Sequence, residues 1–155
     1  GCGHAAWALG VARSAIDDVR ELAISKTRMG ETSSIAHRLT FQRNLAHHEA
    51  IWRAAHRLVV DTFTGFEVEV AAGAPVTPQM RCDMRIAATY ATEASREIVQ
   101  WAHLAAGTTA IREGNRLERA FRDMYTGTQH AFISENIYTE AGKLMLGLVE
   151  DSPAL

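Results

Sequence analysis

Apolar side chains recur every third or fourth residue along most of this chain, a spacing that admits helices packed along one another and little else. Leu9, Ala12, Ile16, Val19 and Ala23 form one such stripe. On a helix of 3.6 residues per turn they share a single face, whereas a strand would need strict alternation. A second stripe runs through Leu45, His48, Trp52, Ala55, Val59 and Phe63, and a third through Met80, Met84, Ala87, Ala94, Ile98, Trp101 and Ala105. The breaks between them are Gly30, Gly73 with Pro75, and Gly107. Glycine just past a helix is a common stop, and proline cannot continue one.

The first helix is therefore predicted from His4 to about Met29, closed by Gly30. The hydroxyls of Thr32, Ser33 and Ser34 are placed to cap the second. That helix runs to about Ala71, although Phe66-Glu-Val-Glu-Val70 alternates as an edge strand would. Thr77 as cap, with Pro78 at the first helical position, opens the third. Helices of this length are roughly 40 to 55 Å long at 1.5 Å per residue. Beyond Gly107, Asn115 and Glu118 have the spacing of a capping box ahead of Leu117, Phe121 and Met124, and Gly127 interrupts that short helix. Phe132, Ile133, Ile137, Ala141 and Leu144 mark a last helix ended by Gly147, with Leu148 to Leu155 as a fraying tail. The expected fold class is all-α: one domain over residues 1–155, an antiparallel four-helix bundle with a short extra helix.

Composition removes several classes of function. The net charge of −2 and pI near 6.4 come from mixed charges without a basic block, so nothing draws the chain to nucleic acid. Cys2 and Cys82 form no metal-type or redox-type pair, which suits a reducing, cytoplasmic setting. No apolar run reaches the roughly 18 to 20 residues of a membrane helix, and Gly1 to Gly10 lacks the pattern of a signal peptide. The chain starts without methionine and its first helix begins almost at once, as in a piece cut from a longer protein.

A bundle with several histidines first suggests a di-iron centre, which needs Glu-x-x-His pairs on two helices. No glutamate here has a histidine three residues later. His47, His48 and His56 lack a second cluster to complete a coordination shell, so no metal site is expected. Ser-His-Asp chemistry on a Gly-x-Ser-x-Gly turn is absent as well. Gly107-Thr108-Thr109 is a lone glycine after a helix, whose backbone N–H groups and two hydroxyls could hold one anionic group. Glu118 with Arg122, and Arg119 with Asp123, are spaced as ion pairs along a helix. His130 follows a glycine-containing break, where an imidazole could sit at a helix mouth and titrate near neutrality.

In order, Ala-Ala-Gly107-Thr-Thr-Ala, Arg122-Asp123, Gln129-His130, Tyr138, Gly142 and Leu146-Gly147 resemble the C-terminal helical domain of the acyl-CoA dehydrogenase fold. More narrowly they resemble its flavin-dependent monooxygenases. Ala8-Leu9-Gly10, Arg28 and Phe41-Gln42 agree with this, so the resemblance covers nearly the whole chain. Dehydrogenases of this type abstract a proton beside a thioester carbonyl, many with a glutamate in a Tyr-Glu-Gly-Thr context. Here Tyr125-Thr126-Gly127-Thr128 has threonine instead, which cannot act as that base. His130 lies close to where the glutamate would fall.

The resemblance implies a catalytic role for His130 beside a flavin, donating a hydrogen bond to activated oxygen or taking the substrate's proton. It implies that Arg28 reaches the flavin phosphate of a neighbouring subunit, that Gly107, Thr108 and Thr109 approach the cofactor, and that Gln42 contributes to binding it. The chain would then be the C-terminal flavin-contacting and oligomerisation domain of a three-domain flavoprotein. The flavin, FMN or FAD, would be held only with the N-terminal helical domain and the middle β-barrel present. The expected parent is a two-component monooxygenase that hydroxylates a small aromatic substrate with reduced flavin and O2. It would be a homodimer or homotetramer served by a separate flavin reductase. The alternatives are an acyl-CoA dehydrogenase whose base lies elsewhere and a stand-alone helical dimerisation module without catalysis.

Overall fold

A computed structural model describes the whole chain, Gly1–Leu155, as five α-helices and no named strands. They are α1 (Cys2–Ser25), α2 (Leu39–Ala71), α3 (Pro78–Ala106), α4 (Arg116–Gly127) and α5 (Asn136–Met145). Cross-helix contacts fix their directions. The Trp52 indole N–H donates to the Leu9 carbonyl at 2.9 Å, while Arg13 pairs with Glu49 at 2.6 Å, so α1 and α2 are antiparallel. Gly1 lies against Ala88 and Lys26 reaches Ala106, so α1 and α3 run parallel. Arg116 pairs with Asp18 at 3.1 Å and Gly127 lies on Trp7, so α4 is antiparallel to α1. The path is up, down, up, down, as expected.

The cross-section is not square. The main seam joins α1 to α3, with α2 and α4 on its flanks and out of contact with each other. Alanine makes this possible. Ala5, Ala8, Ala12, Ala15 and Ala23 of α1 and Ala87, Ala88, Ala91, Ala94, Ala102 and Ala106 of α3 are all buried. Methyl-sized side chains let two helix axes approach to the short end of the usual packing range. The core divides along this seam. Toward the carboxyl end of α1 it holds Ile16, Val19, Ile98, Val99, Phe41 and Leu117, whereas toward the amino end it is Ala5, Leu9, Ala55, Val59 and Ala87, Ala88, Ala91 and Ala94 of α3.

Several ends differ from the sequence expectation, each because a tertiary partner overrides a local signal. α1 stops at Ser25, four residues before the predicted Met29, because Lys26 turns to extended backbone (φ −85°, ψ 124°) and sends its side chain across to α3. Thr27 and Ser34 form an isolated bridge around a loop that contains Gly30 (φ 82°). Gly30 therefore makes this turn and does not close the helix. The hydroxyls expected to cap α2 do not do so. Ile35, 2% exposed, anchors a 3-10 turn over Ile35–His37, and α2 starts after Arg38 without a side-chain cap.

α2 continues to Ala71 through the alternating Phe66–Val70 segment, and Gly73 (φ 86°) ends it by accepting the left-handed conformation. Thr77 caps α3 as expected, its hydroxyl accepting from the Met80 N–H at 3.1 Å. Asn115 caps α4 by accepting from the Leu117 N–H at 2.9 Å, but Glu118 turns to Arg122 at 3.7 Å and leaves the box half made. The last helix begins at Asn136, not at Phe132, whose ring is 60% exposed. The tail does not fray. Asp151 pairs with Arg81, the Ser152 hydroxyl donates to Glu140 at 2.8 Å, and Arg85 donates to the Ala154 carbonyl at 3.1 Å.

Candidate functional site at the two ends of the first helix

At the amino end of α1, residues from α1 and the end of α4 line a crevice of about 500 Å³: His4, Trp7, Asp123, Thr126, Gly127, Gln129 and His130. The turn after α4 sets His130 in place. Gln129 N–H donates to the Thr126 carbonyl (3.1 Å), His130 N–H to Gly127 (3.2 Å) and Ile133 N–H to His130 (2.8 Å). The His130 ring is exposed, and the Phe132 N–H donates to its Nδ1 at 3.2 Å. With Nδ1 accepting, the neutral ring carries its proton on Nε2 and presents a donor.

One wall is Trp7, 38% exposed and seated on Gly127. A Cβ at position 127 would fall 2.2 Å from Trp7 Cη2, so glycine is what lets the indole lie there. His4 faces His130 with ring centroids 5.0 Å apart, and its Nε2 is buried without a hydrogen-bond partner. Burial pushes the His4 imidazole below its ordinary proton affinity, and the nearby His130 adds to this.

At the opposite end, Gly107 takes a conformation almost closed to other residues (φ 59°, ψ −142°) and opens a 3-10 turn over Gly107–Thr109. Lys26 clasps this turn. Its Nζ donates to the Ala106 carbonyl and to Thr109 Oγ1, both at 2.6 Å. Arg28 donates to the Ala105 carbonyl at 3.4 Å and is exposed. Burial lowers the proton affinity of Lys26, and the charges of Arg28 and Arg112 lower it further, so three cations converge on one turn. Thr108 is exposed beside them. Cations, a hydroxyl and a glycine turn are the donors an anionic phosphate takes.

The residues singled out from sequence thus fall into two groups. Arg28, Gly107, Thr108 and Thr109 come together, and Gln42 lies on the same end but donates its amide to the Ala36 carbonyl at 2.9 Å. His130 stands apart from all of them, because His4 and Lys26 are separated by about 33 Å of helix. Lys26, His4 and Trp7 were missed. Lys26 is one of only two lysines in the sequence, and His4 and Trp7 are a ring pair three residues apart, off the alanine stripe. Those signals were there to find. His48 is buried, hydrogen-bonds the Asn44 carbonyl through Nδ1 at 2.7 Å and stacks on Trp101 at 4.3 Å, while His56 stacks on Trp52 at 4.8 Å. They are packing residues, and no group of three or more potential metal-ligating side chains is present.

An alanine-seamed up–down–up–down bundle, with a cation-clasped glycine turn at one end and an imidazole crevice at the other, defines an all-α helical domain. The profile of the C-terminal domain of acyl-CoA dehydrogenases matches residues 2–135, and this chain belongs to that family. Two curated relatives, both indole-3-acetate monooxygenases, come from Acinetobacter baumannii and Pseudomonas putida. They are 31% identical over 140 residues and 29% identical over 139, and each match covers 90% of this chain and 36% of the relative. The chain thus spans about a third of the length of these relatives.

XiaF from Streptomyces sp., solved in complex with FADH2 and glycerol, shares the fold with a TM-score of 0.90 and 20% identity over 99% of this chain and 39% of its own. Butyryl-CoA dehydrogenase from Megasphaera elsdenii shares it with a TM-score of 0.78 and 22% identity, over 94% and 35%. No helix is long and apolar enough to cross a membrane.

Proposed function

We propose that this chain is the C-terminal flavin-contacting and oligomerisation domain of a three-domain flavin-dependent monooxygenase. The parent would be a cytoplasmic enzyme that hydroxylates a small aromatic substrate with O2. The observation that carries the reading is His130 on a fixed turn at the mouth of the crevice, presenting Nε2–H and with no glutamate among the lining residues. Dehydrogenase chemistry needs a carboxylate base. The one carboxylate in the crevice, Asp123, is paired with Arg119 at 3.4 Å. The family and the activity named for both curated relatives support the same reading.

The donor set fits a flavin. Lys26, Arg28, Thr108 and the Gly107–Thr109 turn would hold the phosphate end of one flavin, and His130 would face the ring end of another. When bound in its reduced form, flavin supplies the activation of oxygen. The chain's own residues do the rest. His130 Nε2 donates a hydrogen bond to the reacting oxygen, Trp7 offers a flat wall for an aromatic ring, and the Gly127 contact keeps that wall still. Because the phosphate turn and His130 lie about 33 Å apart along α1, the two serve different flavins within an assembly of copies of this chain. This supports a homodimer or homotetramer in which Arg28 reaches a neighbour's cofactor, with a separate reductase supplying the reduced flavin.

The test uses the full-length parent with reduced flavin, O2 and aromatic substrate, comparing wild type with His130→Ala. Product formed per flavin oxidised should fall at least tenfold in the variant, with hydrogen peroxide released in its place. Unchanged coupling would remove His130 from the reaction.

A further inference from the structure

Four arginines are partly buried: Arg13, Arg38, Arg81 and Arg85. The first three each meet a carboxylate, whereas Arg85, near the start of α3, meets none. Its Nε is buried without a hydrogen-bond partner, and burial alone weakens its hold on a proton. A guanidinium keeps its charge even so. A buried cation with an orphaned donor costs stability, so stability alone does not account for this side chain.

Two groups hold the guanidinium in place. Its Nη2 donates to the Ala154 carbonyl at 3.1 Å, and its centre lies 4.9 Å from the centroid of the Phe132 ring. The carbonyl is presented by a fixed turn of the tail. Arg81 pairs with Asp151, whose carboxylate accepts from the Ser152 N–H at 2.7 Å, and the Ser152 hydroxyl accepts from the Ala154 N–H at 3.3 Å. The ring belongs to the segment that carries the imidazole. The Phe132 N–H donates to His130 Nδ1 at 3.2 Å, and the two rings are 5.6 Å apart. Phe132 lies between the end of α4 and the start of α5, where no helix fixes its backbone, and its ring is largely exposed. Arg85 is the one cation against that ring, an arrangement the ring quadrupole favours.

We propose that Arg85 is a positioning residue for His130 that acts through Phe132. Strapped by the tail, its guanidinium pins the Phe132 ring, and the pinned Phe132 N–H holds the imidazole with Nε2 as its donor. The mouth of the crevice is thereby tied to α3 and to the tail, neither of which lines it. The consequence for turnover rests on the proposed function of His130, but the clasp itself does not.

The test uses the full-length parent as wild type, Arg85→Met, Phe132→Leu and the double variant, each read in two ways. Backbone deuterium exchange of the segment from Thr128 to Glu135 reports the clasp, and product formed per flavin oxidised reports what the clasp does for His130. Each single variant should speed exchange in that segment at least about threefold, because either one frees the Phe132 N–H. Each should also lower coupling at least about threefold, and the double variant should couple no worse than Arg85→Met, since both substitutions break one link. Losses that multiply in the double variant are those of two unconnected structural defects and overturn the proposal. Unchanged exchange in Arg85→Met overturns the clasp whatever coupling does. Faster exchange with unchanged coupling overturns the positioning role when His130→Ala uncouples. If His130→Ala also couples normally, the flavin reading fails and the exchange result alone decides the clasp. Should Arg85→Met fail to fold, Arg85→Lys takes its place, since an ammonium lacks the planar fork that serves ring and carbonyl together.

Discussion

The two ends of α1 are built from different materials. The carboxyl end is held by hydrogen bonds from one lysine to a backbone turn, above a core of Ile16, Val19, Ile98, Val99 and Phe41. The amino end is held by an indole lying on a glycine, above a core made mostly of alanine. An end of the first kind fixes backbone N–H groups and charges where a phosphate would sit. One of the second kind leaves aromatic and imidazole surface open to a planar ligand. The difference shows how one helix can carry a lysine-clasped turn at one end and an aromatic crevice at the other without either compromising the other.

Substitutions confined to one end should test whether the two are independent. Lys26→Met removes both bonds to the turn and leaves the Ala106 carbonyl short of a donor. It should cost about 2 kcal/mol in thermal or urea unfolding and weaken flavin retention by the parent at least tenfold. Loss of stability without loss of flavin would remove the turn from cofactor binding.

Gly127→Ala should act only at the other end, where the new methyl displaces Trp7. Overpacking costs of about 1–3 kcal/mol are offset by the roughly 1 kcal/mol that alanine gains over glycine in a helix. The net expectation is a loss of about 1 kcal/mol with a marked change in tryptophan emission. An unmoved spectrum would show that the indole does not rest on Gly127. Asn115→Ala, beside Leu22 and Ser25 near the carboxyl end of α1 but outside the Lys26 bonds, should cost about 1 kcal/mol through its cap alone, leaving flavin retention and Trp7 emission as they were.

The smallest effect is one of pH. His4 and His48 both have proton affinities lowered chiefly by burial. Between their lowered folded values and the ordinary 6.5, the unfolded chain binds more protons, so stability is complete above about pH 6.5 and declines as pH falls below it. Melting temperature should therefore drop by a few degrees between pH 7 and pH 5, with His4→Gln and His48→Gln each flattening the curve. A flat wild-type curve would show both imidazoles to be freely hydrated.

The helices and their order were legible in the spacing of apolar residues, because a stripe such as Leu9, Ala12, Ile16, Val19 and Ala23 has no other use. The ends were not. Nothing local in Ser25-Lys26-Thr27 announces that Lys26 will leave the helix for Ala106 and Thr109, eighty residues on, and nothing in Asp151-Ser152 announces Arg81 and Glu140. Long-range partners override propensity at helix ends, where few backbone bonds are at stake. The same limit applies to the candidate site. Gly107 and Arg28 could be picked out by resemblance, whereas the nearness of His4 to His130 depends on two helices meeting.

The alanine seam between α1 and α3 leaves no slack, and this makes α1 a phase as well as a length. Adding or deleting a single residue between Ala5 and Ala23 would turn one end by about 100° against the other. The stripe of methyl groups could then meet α3 over only half its course. The seam is indifferent to which side chains stand at Trp7 and Lys26, but it fixes the number of residues between them.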